Sequence, residues 1–182
     1  DKDKVLHYYN ESHPYYKMDI AIVGAGNSAV DVALDTFRKG AKSVTMIIRE
    51  KEIGKNIKYW VRPDIINRIE SNEINVYYES VITKIKDKLI IIKNKEGSIE
   101  IKNDFVLAMT GYQPNYEILE NLGVEILKDE FKTPFYNEKT METNVKGVFL
   151  AGVICGGLKT NKWFIENSRD HSEKIIASIR KN

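Results

Sequence analysis

The stretch Ile20-Ala21-Ile22-Val23-Gly24-Ala25-Gly26-Asn27-Ser28-Ala29 decides the fold. An apolar run beginning at Asp19 passes through Gly-x-Gly-x-x-Ala into a segment of helical period. Val30, Ala33, Leu34 and Phe37 fall at i, i+3, i+4 and i+7, which gives a helix over 27–39 one buried face. Gly40 stands where a helix C′ residue is expected, and Val44–Ile48 reads as the next strand. Strand, glycine turn, helix and strand within about 30 residues make a βαβ unit with a right-handed crossover. In such a unit Gly24 allows the tight turn off the strand. Gly26, lacking a Cβ, lets backbone approach a pyrophosphate, and Ala29 is small enough for helix to pack on strand. The helix start at Asn27 or Ser28 offers amide N–H groups and the positive end of the helix dipole to phosphate. Strand and helix context lift the pattern well above a bare glycine match, although a plain strand-turn-helix shares it.

The second strand bears on which dinucleotide is bound. An NAD site usually places Asp or Glu about 20 residues on, against the ribose 2′-OH. Here the tip is Ile48, followed by Arg49, whose guanidinium suits a 2′-phosphate, and Lys51 adds positive charge. Glu50 is the one residue nearby that favours NAD. On balance the residues favour NADP(H).

Outside this unit, residues 1–17, rich in His and Tyr, read as an extended linker packed on a surface, with Pro14 turning His13 away from helix. A helix is expected over Arg62–Ser71, with Pro63 in its first turn. β-Branched runs at Ile74–Tyr78, Val81–Ile85, Leu89–Lys93 and Ser98–Ile101 read as strands, the last two as a hairpin. Phe105–Met109 is a further strand that runs into Thr110-Gly111. Gly111 stands either beside the nicotinamide end of a cofactor or in a simple turn ahead of Pro114 and Asn115, and spacing alone leaves both open. A helix follows at Tyr116–Leu122, then a strand at Val148–Ala151 ending at Gly152, then a last helix over Trp163–Arg180.

The 182 residues suit one domain or two small ones. A net charge of +2 with scattered lysines argues against a nucleic-acid partner. No apolar run reaches the roughly 20 residues of a membrane helix. The single cysteine, Cys155, excludes an intrachain disulfide and is compatible with a reducing cytoplasm; we read it as a small buried thiol. His7, His13 and His171 lack metal-ligand spacing, and no Gly-x-Ser-x-Gly is present, so neither a metal site nor a hydrolytic one is expected. The chain begins Asp1-Lys2-Asp3-Lys4 and is read as a fragment.

Several stretches together carry a resemblance. They are His7-Tyr8-Tyr9 with His13-Pro14-Tyr15-Tyr16; Ile57-Lys58-Tyr59-Trp60-Val61 with Pro63-Asp64-Ile65; Phe105–Tyr112; Thr140-Met141-Glu142-Thr143-Asn144-Val145; and Lys162-Trp163-Phe164-Ile165-Glu166-Asn167. Along nearly its whole length the chain resembles the bacillithiol-disulfide reductase family, which is related to thioredoxin reductase. The resemblance implies a Rossmann-like α/β fold: a three-layer (ββα) NAD(P)-binding domain over 18–112, inserted into an FAD-binding domain whose carboxyl-terminal part is 113–182. It implies FAD and NADP(H) as cofactors, a small-molecule disulfide as substrate, and leaves a homo-oligomer open. Thr143–Gly152 resembles the second FAD motif, with Val153 where thioredoxin reductases usually carry Asp; Phe164 and Ile165 lie ahead of a helix aimed at the isoalloxazine. A rotation of the NADPH domain would hinge at Thr110–Pro114. The first FAD glycine loop is not in these residues, so no catalytic residue is assigned. Two other classes share the glycine loop: a non-catalytic NAD(P)-binding module and a flavin-dependent monooxygenase.

Overall fold

The computed structural model describes residues 4–55 and 57–180. The chain forms two units, divided between Gly111 and Tyr112.

In the first unit, β1 (Val5–Leu6), β2 (Asp19–Val23), β3 (Ser43–Ile47), β4 (Asn75–Tyr77) and β8 (Phe105–Ala108) form one sheet in the order β1-β8-β2-β3-β4. Every pair in it is parallel, and β2 sits at the centre with Val23 level with Ile47 on one side and Ala108 on the other. Helices α1 (Asn27–Arg38) and α2 (Arg62–Glu70) follow β2 and β3. Strands β5 (Val81–Ile85), β6 (Leu89–Lys93) and β7 (Ser98–Lys102) make an antiparallel sheet that carries the chain from β4 to β8, with an irregularity in register between Ile82 and Lys84.

Side chains alternate across the parallel sheet, as strand geometry requires. Ile20, Ile22, Val44, Met46 and Leu107 join Val30, Ala33, Leu34 and Ile65 of the helices in one core. Ala21, Ile47 and Val106 point the other way and pack with Ile90 and Ile92 of the antiparallel sheet. Both faces of the central sheet are therefore covered, which is why its strands are near-continuous apolar runs. The layers are helices, parallel sheet and antiparallel sheet, the three-layer arrangement expected.

Residues 4–17 differ from the expected linker. Val5 and Leu6 pair with Val106 and Leu107 as an edge strand. Lys4 is buried, and its ammonium donates to the carbonyls of Lys86 (2.6 Å), Asp87 (2.8 Å) and Asn103 (2.7 Å), holding the β5–β6 turn against the end of β7. Tyr9 stacks on buried Tyr15 at 5.8 Å, and its hydroxyl donates to Asp35 of α1; Tyr15 meets Phe105 edge-on at 5.6 Å. Tyrosine packs its ring while keeping a polar tip for a partner, here Asp35.

The second unit contains α3 (Tyr116–Asn121), a 3-10 turn over Gly152–Gly156, and α4 (Asp170–Ile179). Its core is Leu119, Val124, Met141, Leu150 and Cys155. Two expectations fail here. Val148–Ala151 is no strand; only Phe149 makes an isolated bridge, to Glu142. Gly147 and Met141 both have positive φ, 80° and 62°, which breaks the extended backbone a ladder needs. The last helix begins at Asp170 rather than Trp163. Ahead of it, Asn167 Oδ1 accepts from Phe164 N–H at 2.6 Å, Asn167 Nδ2 donates to Lys162 O at 3.0 Å, and Ser168 Oγ donates to Phe164 O at 2.6 Å. These side chains give the backbone an alternative to helical bonding.

Candidate functional site

The glycine turn lies at the carboxyl edge of the parallel sheet, at the end of its central strand. There β3 and β8 leave β2 on opposite sides, the switch point at which doubly wound sheets open a crevice. Gly24 has φ +132°, and a Cβ on it would stand 2.4 Å from Met109 O, so only glycine fits between the ends of β2 and β8. Its amide donates to Ile47 O at 3.2 Å. Ala29 Cβ lies 3.3 Å from the same built position, so a larger residue at 29 would push α1 off the strand.

Gly26 is the N-cap of α1 and behaves differently. A Cβ built on it meets no atom within 4 Å. The first turn of α1 has no side-chain cap and no acidic residue, so the positive end of its dipole faces open space. Asn27 turns its side chain aside, its Oδ1 accepting from Lys58 N–H at 2.9 Å. Ser28 follows in the same turn.

Arg49 and Lys51 stand on the loop that leaves β3, both exposed. Parallel pairing puts Ile47 level with Val23, so Arg49 emerges beside Ala25 and the glycine turn. The loop root is pinned by Ile48 N–H to Tyr77 O (2.9 Å), Ser80 N–H to Ile48 O (2.9 Å) and Glu79 N–H to Glu50 O (3.0 Å). No ion pair engages Arg49 among the described residues, whereas the positive charge of Lys51 helps hold the Glu79 carboxyl below its usual range, after the larger effect of a hydrogen bond from Lys95.

The sequence assigns no site role to Gly54 or Lys58. Gly54 N–H donates to Ala25 O at 3.1 Å, and a Cβ on Gly54 would meet that oxygen at 2.8 Å. Lys58 also pairs with Asp31 of α1 at 2.7 Å. The loop is thus fastened over the start of α1. A lone glycine in a polar loop and an Asn at a helix start were the only signals available.

At the other sheet neighbour, β8 runs into Thr110 and Gly111. Gly111 has φ +97° with no atom within 4 Å of a built Cβ, so the chain leaves the first unit through a left-handed residue.

In the second unit, Gly152 has φ +75° and an open Cβ position. Its amide donates to Nδ1 of His171 at 3.1 Å, so the buried imidazole, when neutral, carries its proton on Nε2. His171 meets Trp163 edge-on at 4.6 Å, and a Cβ on Gly156 would lie 3.6 Å from the same indole. The 3-10 turn, Trp163 and His171 therefore form one cluster. His171 is a core residue whose ring positions the Gly152 backbone. Val153, Phe164 and Ile165 are exposed, at 46%, 52% and 79%. Trp163 Nε1 is buried without a hydrogen-bond partner by geometry, although it lies close enough to the Tyr136 phenol to oppose that group's burial-driven rise. Cys155 is fully buried, which pushes its thiol up to about 11 against the opposing charge of Lys162. At neutral pH it is a protonated core group.

The model of the pyridine nucleotide-disulphide oxidoreductase family matches residues 1–152. Bacilliredoxin reductase Bdr of Bacillus subtilis is 44% identical over 182 residues, 100% of this chain and 56% of that protein. Among solved structures, the bacillithiol disulfide reductase Bdr of Staphylococcus aureus agrees at a TM-score of 0.91 with 37% identity, over 100% of this chain and 56% of that one. The thioredoxin reductase of T. acidophilum, with a TM-score of 0.72, 21% identity and coverage of 93% and 54%, shares the fold. The chain thus spans a little over half the length of these relatives. The resemblance drawn from the tyrosine-rich segment, the Lys58–Trp60 loop and the Trp163–Asn167 turn holds, and on the match over residues 1–152 the chain belongs to the pyridine nucleotide-disulphide oxidoreductase family.

Proposed function

We propose that residues 4–111 hold NADP(H) and residues 112–180 supply part of an FAD site, in a reductase that delivers electrons to a low-molecular-weight disulfide such as bacillithiol disulfide. When bound, NADPH supplies hydride and FAD relays the electrons; this chain supplies position and charge. The observation that carries the proposal is the open space at Gly26 at an uncapped helix start, with exposed Arg49 two residues past the end of the neighbouring parallel strand. A pyrophosphate suits the first and a 2′-phosphate the second. Gly24 and Ala29 shape the turn, Asn27 and Ser28 bring their amides to it, and Lys51 adds charge. Gly111 would leave room at the nicotinamide end. In the second unit the open Gly152, with exposed Val153, Phe164 and Ile165, offers apolar surface to a flavin. The amide of Gly152 is held by His171, so the approach to a flavin is by its open Cβ side.

Calorimetric titration of the chain with NADPH and NADH tests the nucleotide assignment. NADPH is expected to bind at least about tenfold tighter, and Arg49→Ala to erase the difference while sparing NADH, since the charge-assisted fork is what separates the two. Equal binding of the two by the unaltered chain would overturn the NADP assignment. FAD retention is expected to be weak, because these 182 residues carry no first FAD glycine loop; stoichiometric FAD would contradict this. The name of the Bacillus subtilis relative favours a second acceptor, bacilliredoxin. NADPH oxidation by the full-length protein, measured with each acceptor alone, decides between them.

A further inference from the structure

Side chains hold the 3-10 turn Gly152–Gly156 at two points. At its start Gly152 N–H donates to Nδ1 of His171 at 3.1 Å, and near its end the Tyr136 hydroxyl donates to Cys155 O at 3.3 Å. The turn's own side chains, those of Val153, Ile154 and Cys155, bring neither a carboxylate nor a hydroxyl. What it offers a ligand is backbone and the exposed Val153, so the two points that fix the backbone decide the contact. The two differ in chemistry. Tyr136 donates, and burial raises its phenol, so acid leaves that bond intact. His171 accepts, and an imidazole protonated on both nitrogens has no acceptor left. Protonating this buried ring therefore frees the Gly152 amide, with the Asp170 carboxylate, 4.0 Å from Nε2, as the nearby counter-charge. Asp170 is bonded by Lys174 at 2.9 Å, which holds its carboxyl below the usual range. The Cys155 thiol, raised by burial, keeps its proton, and the Lys162 ammonium lies 5.2 Å from the centre of the Trp163 ring that meets His171. Of the side-chain types gathered here, imidazole is the one whose charge changes between about pH 5 and about pH 8.

We propose that His171 is the positioning residue of the flavin-facing turn and holds Gly152 only as a neutral imidazole, so that acid releases the turn and loosens the flavin. This rests on the FAD reading above. A turn without polar side chains contacts a ligand according to where its backbone stands, and losing the bond at Gly152 costs affinity about tenfold, the size of one such hydrogen bond.

The test has two parts. In the unaltered chain, nitrogen-15 resonances of the His171 ring and the Gly152 amide are followed from about pH 8 to about pH 5, the span over which imidazoles change charge. They are expected to move together with one midpoint. In the full-length protein, FAD affinity is read by flavin fluorescence at both ends of that span. The unaltered protein is expected to bind FAD about tenfold more weakly in acid. His171→Asn, whose Oδ1 accepts but does not titrate, is expected to flatten the pH profile, and His171→Leu to bind weakly throughout. A neutral ring and an unmoved Gly152 amide across the span overturn the latch without any substitution. Resonances that move while FAD affinity stays constant, or an acid loss that His171→Asn retains, overturn its tie to the flavin and leave the FAD reading standing. Full-length protein that binds no FAD at either pH overturns both.

Discussion

Residues 4–111 and residues 112–180 handle apolar side chains and backbone in different ways. In the first unit a continuous parallel ladder satisfies the backbone, and apolar side chains fill cores on both faces of it. In the second, isolated bridges replace a ladder among the described residues, and asparagine side chains take over much of the backbone pairing. Asn144 accepts from Glu125 N–H and donates to Gly123 O, both at 2.8 Å; Asn115 caps α3; Asn167 orders the turn before α4. Its small core leaves Ile118, Leu122, Ile165, Ile176 and Ile179 more than half or close to half exposed. A sheet buries side chains in both directions at once, whereas loops held by side-chain amides present their apolar residues outward. The first unit is accordingly expected to be stable by itself and the second to be the weaker of the two.

The sharpest way to break this comparison is Gly24→Ala. Its φ of +132° and the 2.4 Å approach of Met109 O leave no place for a methyl group, so β2 and β8 must separate. Loss on the order of 3 kcal/mol is expected in the unfolding of the first unit, together with loss of nucleotide binding. Unaltered thermal unfolding would show that the β2–β8 junction is not what holds that unit. In the second unit, Met141→Ala removes a side chain that is 1% exposed and should cost about 2–5 kcal/mol. Hydrogen exchange is expected to rise across 112–180 and stay unchanged in β2 and β3; a rise in both would mean the units unfold as one.

Lys4→Met is expected to cost about 2 kcal/mol by leaving three carbonyl acceptors without their donor. If chemical denaturation shows no change, the amino-terminal segment is an accessory to the first unit rather than part of it. A further effect is confined to alkaline pH and to the second unit. Unfolded, the Cys155 thiol ionises near 9.0; folded, it holds its proton to about 11. Between those values the unfolded chain has released a proton that the folded unit retains. Stability from this group is therefore complete below pH 9.0 and lost as pH rises through about 11, by at most about 3 kcal/mol. Cys155→Ala should flatten that slope in pH-dependent denaturation followed by exchange of the second unit; an identical slope would assign the loss to Tyr116 and Tyr136, whose phenols burial also raises.

Much of the first unit was legible as sequence. The strands and helices around the glycine turn follow from period, and Arg49 follows from its place after the second strand, because those signals act within one element. Gly24 and Gly26 share a motif, yet legibility stops at their difference: one is needed for the approach of Met109, the other for open space, and that depends on β8, some eighty residues away. The same limit hid Gly54, Lys58 and His171, whose partners are Ala25, Asn27 and Gly152.

Composition and local period by themselves determined the βαβ core, the class of the fold and the charge at the tip of β3, since helix and strand patterns need only near neighbours to declare themselves. Tertiary structure alone decided that Val5 and Leu6 add a strand to the sheet, that the last helix starts at Asp170, and that the loop carrying Arg49 ends in an ordered aromatic pair. Each of these depends on where a distant carbonyl or ring stands in space, and a buried ammonium, an asparagine turn or a stacked tyrosine satisfies that partner whatever the local propensity of its own segment.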